Sequence, residues 1–176
     1  ENLVWQDKTP LLADDIIFTI KTIQNPDFKS PQRPNWIGVE IEKINNLTIR
    51  FKLKKPYSAF LENCAVKILP EHIWSQVSVE NFPFQIQNLE AIGSGLYKVK
   101  EIKKNEAGQI ESLTLVQNPY YSGKIPYISE IKFLFFNTEQ ELIKEASQGK
   151  INGLALNSPP QGFDESWQKY PFYLPR

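Results

Sequence analysis

Two adjacent aspartates are the first residues in this chain whose types could do chemistry. Asp14 and Asp15 precede an apolar run, but neighbouring residues of a helix point about 100° apart. Their carboxylates therefore cannot converge on one atom, as a catalytic carboxylate pair must. Acidic residues in the first turn of a helix are instead stabilised by its positive end. The pair predicts the start of a helix rather than an acid–base site.

One histidine and one cysteine, His72 and Cys64, are the other reactive candidates. A single cysteine excludes an intramolecular disulfide and a cysteine-rich zinc site, and a single histidine excludes a histidine-rich metal site. A nucleophilic Cys64–His72 pair would need an oxyanion turn and an orienting acid, and neither is evident. The apolar run around Cys64 indicates a small buried hydrophobic residue. We therefore expect no enzyme activity, no metal and no cofactor.

A glycine pair and several aromatic residues could instead hold a ligand. Gly93-Ser94-Gly95 lacks the lysine and the following helix of a phosphate-binding loop, so it predicts a tight turn into a strand. Trp36 lies in a proline-broken stretch beside Arg33 and Asn35, where it could line a cleft for an organic ligand. It could equally seal a core. The same two alternatives hold for the aromatic residues near the C-terminus, which are Trp167, Tyr170, Phe172 and Tyr173.

Composition narrows the class of protein. The 176 residues are 41% hydrophobic, enough for one domain or two small subdomains with a shared core. Lys and Arg total 20, as do Asp and Glu, so the formal net charge is zero and nothing favours nucleic-acid binding. The chain contains no apolar run long enough to span a membrane and no signal-peptide pattern at its first residues. Its abrupt ends suggest cuts through a longer protein.

The elements that would position these residues form a mixed α+β pattern. Apolar residues at helical spacing predict a helix over 13–24, and alternation predicts a hairpin of strands 38–44 and 47–53 turning at Asn45-Asn46. We predict an irregular loop over 28–36. Further predicted strands cover 66–69, 96–102, 110–116, 127–136 and 151–156; further predicted helices cover 58–64, 70–74 and 139–148, the last capped by Thr138 and stopped by Gly149.

Six motifs in order resemble the family 5 extracellular solute-binding proteins, which are the peptide-, dipeptide- and nickel-binding components of ABC transporters. The resemblance covers essentially the whole chain, and the combination is far more specific than any one motif. The motifs are Trp5–Ile16, Ser30-Pro31, Ile68–Trp74, Ile92–Lys98, Leu115–Phe136 and Gly149–Gly153. Departures from the family pattern are Lys8 for a turn glycine, Leu12 for a capping threonine, Leu96 for a proline and Asn152 for an aspartate.

The resemblance implies part of the first lobe of a periplasmic-binding-protein-like class II fold, with mixed sheets and short flanking helices. Residues 1–91 would form part of a smaller N-terminal subdomain, and residues 92–176 the middle of the first lobe, ending near the crossing to a second lobe. The implied function is to bind peptides outside the cytoplasmic membrane and deliver them to ABC permease subunits. The protein would be a periplasmic or cell-surface monomer that meets the membrane only through an anchor or permease outside this segment. A divergent scaffold domain without a ligand is the alternative.

Site residues follow from the resemblance only. In oligopeptide binders, the segment after Ser-Pro and the segment after the Gly-Glu-Ile-Asp motif face the ligand cleft. Backbone groups there would pair with an extended peptide as an added strand. The corresponding residues here are Gln32, Arg33, Asn35, Trp36, Ala155, Leu156, Asn157 and Ser158.

Overall fold

A computed structural model describes residues 3–156 of the chain. The chain divides into two compact units, Glu1–Ile102 with Leu113–Lys132 and Lys103–Ser112 with Phe133–Arg176. Helices and strands mix, which confirms the predicted α+β class. The helices are α1 (Ala13–Gln24), α2 (Arg33–Trp36), α3 (Phe60–Asn63), α4 (Glu71–Trp74) and α5 (Glu139–Ser147), and the strands are β1 (Val39–Asn45), β2 (Thr48–Leu53), β3 (Tyr97–Lys104), β4 (Ile110–Gln117) and β5 (Glu130–Leu134).

Helix α1 begins and ends where the sequence predicts. Leu12, in extended conformation, is its N-cap residue, and the chain leaves the helix at Asn25, which precedes Pro26. Ile20 and Ile23 lie on the buried face. The backbone N–H of Ala13 donates to the carbonyl of Asn46 at 2.8 Å, so the helix start is fixed to the turn of the β1–β2 hairpin.

That hairpin is antiparallel, with Val39 opposite Leu53 and an irregularity in register between Lys43 and Asn45. The Asn45 side chain accepts a hydrogen bond from the backbone N–H of Leu47 at 2.9 Å, which stabilises the turn. One face of the hairpin packs on α1 and forms the core. Its buried members are Ile20, Ile23, Trp36, Val39 and Phe60, with Phe51 packed against them.

Aromatic rings dominate this core. The centroids of Trp36 and Phe51 lie 5.5 Å apart, those of Trp36 and Phe60 5.7 Å, and those of Phe51 and Phe60 5.5 Å. The ring planes are tilted or edge-on, which aromatic pairs prefer over direct stacking. Trp36 is 1% exposed, so of the two alternatives for this residue the structure shows the core.

Three local predictions in the first half of the chain are wrong. The predicted irregular loop over 28–36 contains α2, a single turn too short to give a periodic signal. Residues 66–69 form no strand, because the Leu69 N–H donates to the Thr19 hydroxyl instead of a neighbouring strand. Cys64 is exposed rather than buried, because the one-turn helix α3 directs Phe60 into the core.

The later part of the chain forms a second, three-stranded sheet. Its strand order is β3-β4-β5, and Asn105 and Gln109 close the β3–β4 turn. Thr138 caps α5 by accepting from the Glu141 N–H at 3.2 Å, as predicted. Gly149, at φ +72°, follows the helix end in the left-handed conformation. Residues 151–156 lack the predicted strand, since no ladder forms there within the described part of the chain.

No helix between residues 3 and 156 combines the length and the apolar character needed to cross a membrane.

Candidate functional site

Asp15 is buried and accepts hydrogen bonds from three segments of the chain. Its Oδ2 accepts from the backbone N–H of Leu12 at 2.8 Å and from the indole N–H of Trp5 at 3.3 Å. Its Oδ1 accepts from the backbone N–H of Glu71 at 2.8 Å, at the start of α4. The side chain is only 5% exposed. A carboxylate enclosed in this way holds the fold together and is not open to a substrate.

Thr19 extends this arrangement by one turn of α1. Its hydroxyl donates to the Asp15 carbonyl at 2.7 Å and accepts from the Leu69 N–H at 2.8 Å. Thr19 is 1% exposed. We call this set the Asp15 network; its members are Trp5, Leu12, Asp15, Thr19, Leu69 and Glu71. The sequence predicted a helix start at Asp15 but gave no sign of its partners at Trp5 and Glu71.

Leu12 makes no side-chain cap hydrogen bond to α1. Asp15 instead accepts from the Leu12 N–H, which is the second half of a capping box. Asp14 points elsewhere and forms an exposed ion pair with Lys43, with Nζ and Oδ2 2.6 Å apart. The two aspartates therefore diverge, as helix geometry requires.

Asp7 pairs with His72, whose Nε2 lies 2.7 Å from Asp7 Oδ2. Asp7 Oδ1 also accepts from the Thr9 N–H at 2.9 Å. Burial acts to raise the pKa of Asp7, but the hydrogen bonds from His72 and Thr9 outweigh it, so the pKa lies below its ordinary value. Cys64 has a separate contact, with Sγ 3.6 Å from the Phe60 carbonyl oxygen. The histidine and the cysteine thus have different partners.

Nothing in residues 3–156 brings together three or more histidine, cysteine or carboxylate side chains in a form that could hold a metal ion.

The Gly93–Gly95 loop is held by polar side chains of its own unit. The Gln6 side chain accepts from the Gly93 N–H at 3.2 Å and donates to the Tyr97 carbonyl at 2.9 Å. The Asn118 side-chain amide, itself buried, donates to the Gly95 carbonyl at 2.8 Å. Strand β3 follows at once. The loop is therefore a tight turn into a strand, as predicted, and its backbone groups are engaged within the protein.

The predicted ligand residues near α2 divide into surface and core. Gln32 and Asn35 are exposed, and Arg33 is half-buried with its Nε–H donating to the Gln24 carbonyl at 2.8 Å. The Trp36 indole is buried in the core, and its carbonyl accepts from the Gln24 side chain at 2.8 Å. The exposed side of α2 is thus held in place by Trp36, whose indole is buried in the core.

The predicted ligand residues near the C-terminus belong to the other unit. Ala155 is exposed and Leu156 is half-buried. Asn157 and Ser158 lie outside the described residues.

Beside α2 lies an open groove of about 420 Å³, which we call the α2 groove. Asn35 contributes to one wall, so one residue predicted from the sequence lies at this site. The other lining residues come from positions next to Asn35 and from a later segment, 53–63, and none of them was among the predicted site residues. The lining is Pro34, Asn35, Ile37, Gly38, Val39, Leu53, Lys54, Lys55, Tyr57, Ala59 and Asn63.

The order of the motifs and the fold agree with one protein family. The sequence profile of the bacterial extracellular solute-binding proteins, family 5 (middle), matches residues 1–170. The chain belongs to this family. The Asp15 network thus comprises residues of the motifs Trp5–Ile16 and Ile68–Trp74 and one threonine between them.

Solved structures of this class share the fold. AppA from Clostridium difficile is 29% identical with a TM-score of 0.75, covering 85% of this chain and 31% of its own. CtaP from Listeria monocytogenes, an ABC transporter substrate binding protein, is 29% identical with a TM-score of 0.73, covering 85% and 30%. AppA from Bacillus subtilis, an oligopeptide-binding protein in complex with a nonapeptide, is 25% identical with a TM-score of 0.74, covering 85% and 30%.

The chain therefore spans about 30% of the length of these solved structures. Among curated proteins, none matches the chain significantly.

Proposed function

We propose that this chain is part of a peptide-binding protein that delivers oligopeptides or dipeptides to an ABC permease outside the cytoplasmic membrane. Membership of the solute-binding family carries the proposal. The likeness to AppA from Bacillus subtilis, which is in complex with a nonapeptide, supports a peptide as the ligand. The family acts by binding substrates, so the mechanism is two lobes closing on a ligand without chemistry.

The peptide lies against the surface of α2. Gln32, Arg33 and Asn35 face it from α2, while Trp36 positions that turn through its buried indole. By the family resemblance, Ala155, Leu156, Asn157 and Ser158 are further candidate ligand residues. Main-chain groups pair with an extended ligand, which recognises a peptide with little dependence on its side chains.

Residues 1–91 belong to the smaller subdomain of the first lobe and residues 92–176 to its middle part. A second lobe in the rest of the protein completes the cleft. The protein works as a monomer, periplasmic or at the cell surface, and contacts the membrane through an anchor or through the permease.

Thermal unfolding of the full-length protein with a peptide library tests this function. A ligand that binds only the folded state raises the melting temperature, by the equivalent of about 2.7 kcal/mol when its concentration is a hundredfold above Kd. We expect a rise with di- or oligopeptides and none with sugars or metal chelates. If only a metal chelate or a sugar raises the melting temperature, the ligand is that solute and not a peptide. No rise with any of them would support the scaffold alternative.

A further inference from the structure

The α2 groove is lined by two lysines and no carboxylate. Elsewhere on the hairpin, the lysines have acidic partners: Lys43 pairs with Asp14 at 2.6 Å, and Lys52 pairs with Glu42 at 3.0 Å. Within residues 3–156, Lys54 and Lys55 have no such partner. The positive charge of the hairpin is therefore left uncompensated at the groove.

Lys54 is positioned by a glycine. Gly38 has φ +76°, a conformation that strongly favours glycine, and it joins α2 to β1. The Cδ, Cε and Nζ atoms of Lys54 lie 3.6, 3.5 and 3.8 Å from the point that a Cβ of residue 38 would occupy. The lysine stem thus crosses the backbone of Gly38 and holds its ammonium group at the groove.

The remaining lining offers apolar surface and amides. Ile37 is 60% exposed and Tyr57 is 45% exposed, which are large values for apolar side chains. Asn63 donates to the Tyr57 hydroxyl at 2.6 Å and so orients that ring. The side-chain amide of Asn35 has no partner in the described part of the chain. Cations, an apolar wall and the free side-chain amide of Asn35 together suit an organic acid.

We propose that the α2 groove binds the carboxylate of the ligand, with Lys54 and Lys55 as its charged partners and Ile37 and Tyr57 against the adjoining apolar part. This inference rests on the proposed peptide-binding function and adds a preference for anionic peptides. The carboxylate is either the C-terminus of the peptide or an acidic side chain. Both present the same chemistry to an ammonium group.

Calorimetric titration of the full-length protein can separate these sources. The probes are tetra-alanine as the free acid, tetra-alanine as the C-terminal amide, and Ala-Ala-Glu-Ala as the amide. We expect the neutral amide to bind roughly five- to tenfold more weakly than the free acid, since two partly exposed ion pairs are lost. If an acidic side chain can occupy the groove, the glutamate-containing amide recovers that loss; if the C-terminus alone can, it does not.

The decisive variant is Lys54→Gln/Lys55→Gln. It should lower affinity for the free acid by about five- to tenfold and leave affinity for the neutral amide unchanged. Lys54→Arg/Lys55→Arg should keep the preference. Lys67→Gln/Lys132→Gln removes the same charge from exposed sites outside the groove and should also keep it. All these side chains are exposed, so the melting temperatures should stay close to that of the wild type.

Four outcomes would overturn the inference. The first is that the wild type binds peptides with no preference for the free acid or for glutamate. The second is that the preference persists in Lys54→Gln/Lys55→Gln. Either result would show that the groove is not the carboxylate site, and the proposed function would stand. Equal losses in the Lys67→Gln/Lys132→Gln control assign the effect to net charge alone. Absence of any peptide binding by wild type overturns both the inference and the proposed function.

Discussion

The Asp15 network and the α2 groove lie in the same unit but use polar groups in opposite ways. In the network, one buried carboxylate accepts from three N–H groups, and Thr19 satisfies two further backbone groups. In the groove, two ammonium groups stand at an exposed wall with no carboxylate beside them. A buried polar group must find its partners within the protein. An exposed charged group can remain without a protein partner and bind a ligand of opposite charge.

The residues that identify the family differ from those that we propose for ligand selectivity. Trp5, Asp15 and Glu71 belong to family motifs, and their contacts are internal. Lys54 and Lys55 belong to none of the six motifs, although they line the α2 groove. The motifs therefore include residues whose contacts hold the fold together, and the two lysines of the proposed carboxylate site lie outside them.

The strongest test of this difference is Asp15→Ala compared with Asp14→Ala. Removing the Asp15 carboxylate leaves the Trp5 indole N–H and two backbone N–H groups without their acceptor, and we expect a loss of about 3–5 kcal/mol in the free energy of unfolding. Removing Asp14 breaks only an exposed ion pair with Lys43 and should cost under about 1 kcal/mol. Urea unfolding measures both. Equal losses would show that the network adds nothing beyond the helix start.

A smaller effect is expected at Thr19. Thr19→Val keeps the shape of the side chain but removes the hydroxyl that joins α1 to the Leu69 N–H. The Leu69 N–H then lacks an acceptor, so we expect a loss of about 1–3 kcal/mol, again by urea unfolding. Thr22→Val is the matched control on the same helix, and it should change stability by under about 1 kcal/mol because Thr22 is not fully buried. A Thr19→Val protein as stable as the control would contradict this role.

The sequence was sufficient for elements whose signal is local. Periodicity located α1, alternation located the hairpin, and cap residues located α5 to within a residue or two. It failed for α2, which is one turn long, and for 66–69, where an apolar run pairs with a threonine hydroxyl instead of a strand. Those outcomes depend on contacts between distant segments, which no local pattern encodes.

The candidate site shows the same limit. The sequence placed Asn35 at a ligand-facing surface through the family resemblance, and the structure sets it on a groove wall. From the sequence, Trp36 could line a cleft or belong to the core. The choice depends on the packing of α1 and Phe60 against its indole, which no local pattern shows. Lys54 and Lys55 were unpredictable as groove residues. They follow the end of β2, and only the fold brings Lys54 beside Gly38 and both lysines into the groove lining.

Replacing Lys8 by glycine should have a smaller effect, and it should compare favourably in stability with replacement by alanine. It stands where the family has glycine and adopts φ +74°, a left-handed conformation that costs a non-glycine residue about 1–2 kcal/mol. Its ammonium group lies 5.4 Å from the Tyr120 ring centroid, which offsets part of that cost. We therefore compare Lys8→Gly with Lys8→Ala, both of which lack the ring contact. Gly should be the more stable by about 1 kcal/mol in thermal unfolding, and Ala equal to or above Gly would show that the turn is unstrained.

The smallest effect concerns the Asp7–His72 pair, which is polar like the Asp15 network but partly exposed. The pKa of Asp7 is lowered from its ordinary value of 3.8, so its contribution to stability is present above pH 3.8 and is lost as the pH falls through the lower value in the folded state. Asp7→Asn cannot lose a charge in acid. Its stability should be slightly below that of wild type at pH 7, and the gap should close below about pH 4. His72→Gln removes the partner and should reduce the same acid-dependent loss. If the wild type and Asp7→Asn proteins lose stability in parallel between pH 5 and pH 2 (about the range in which carboxylates titrate), the pair contributes no more than its exposed neighbours do.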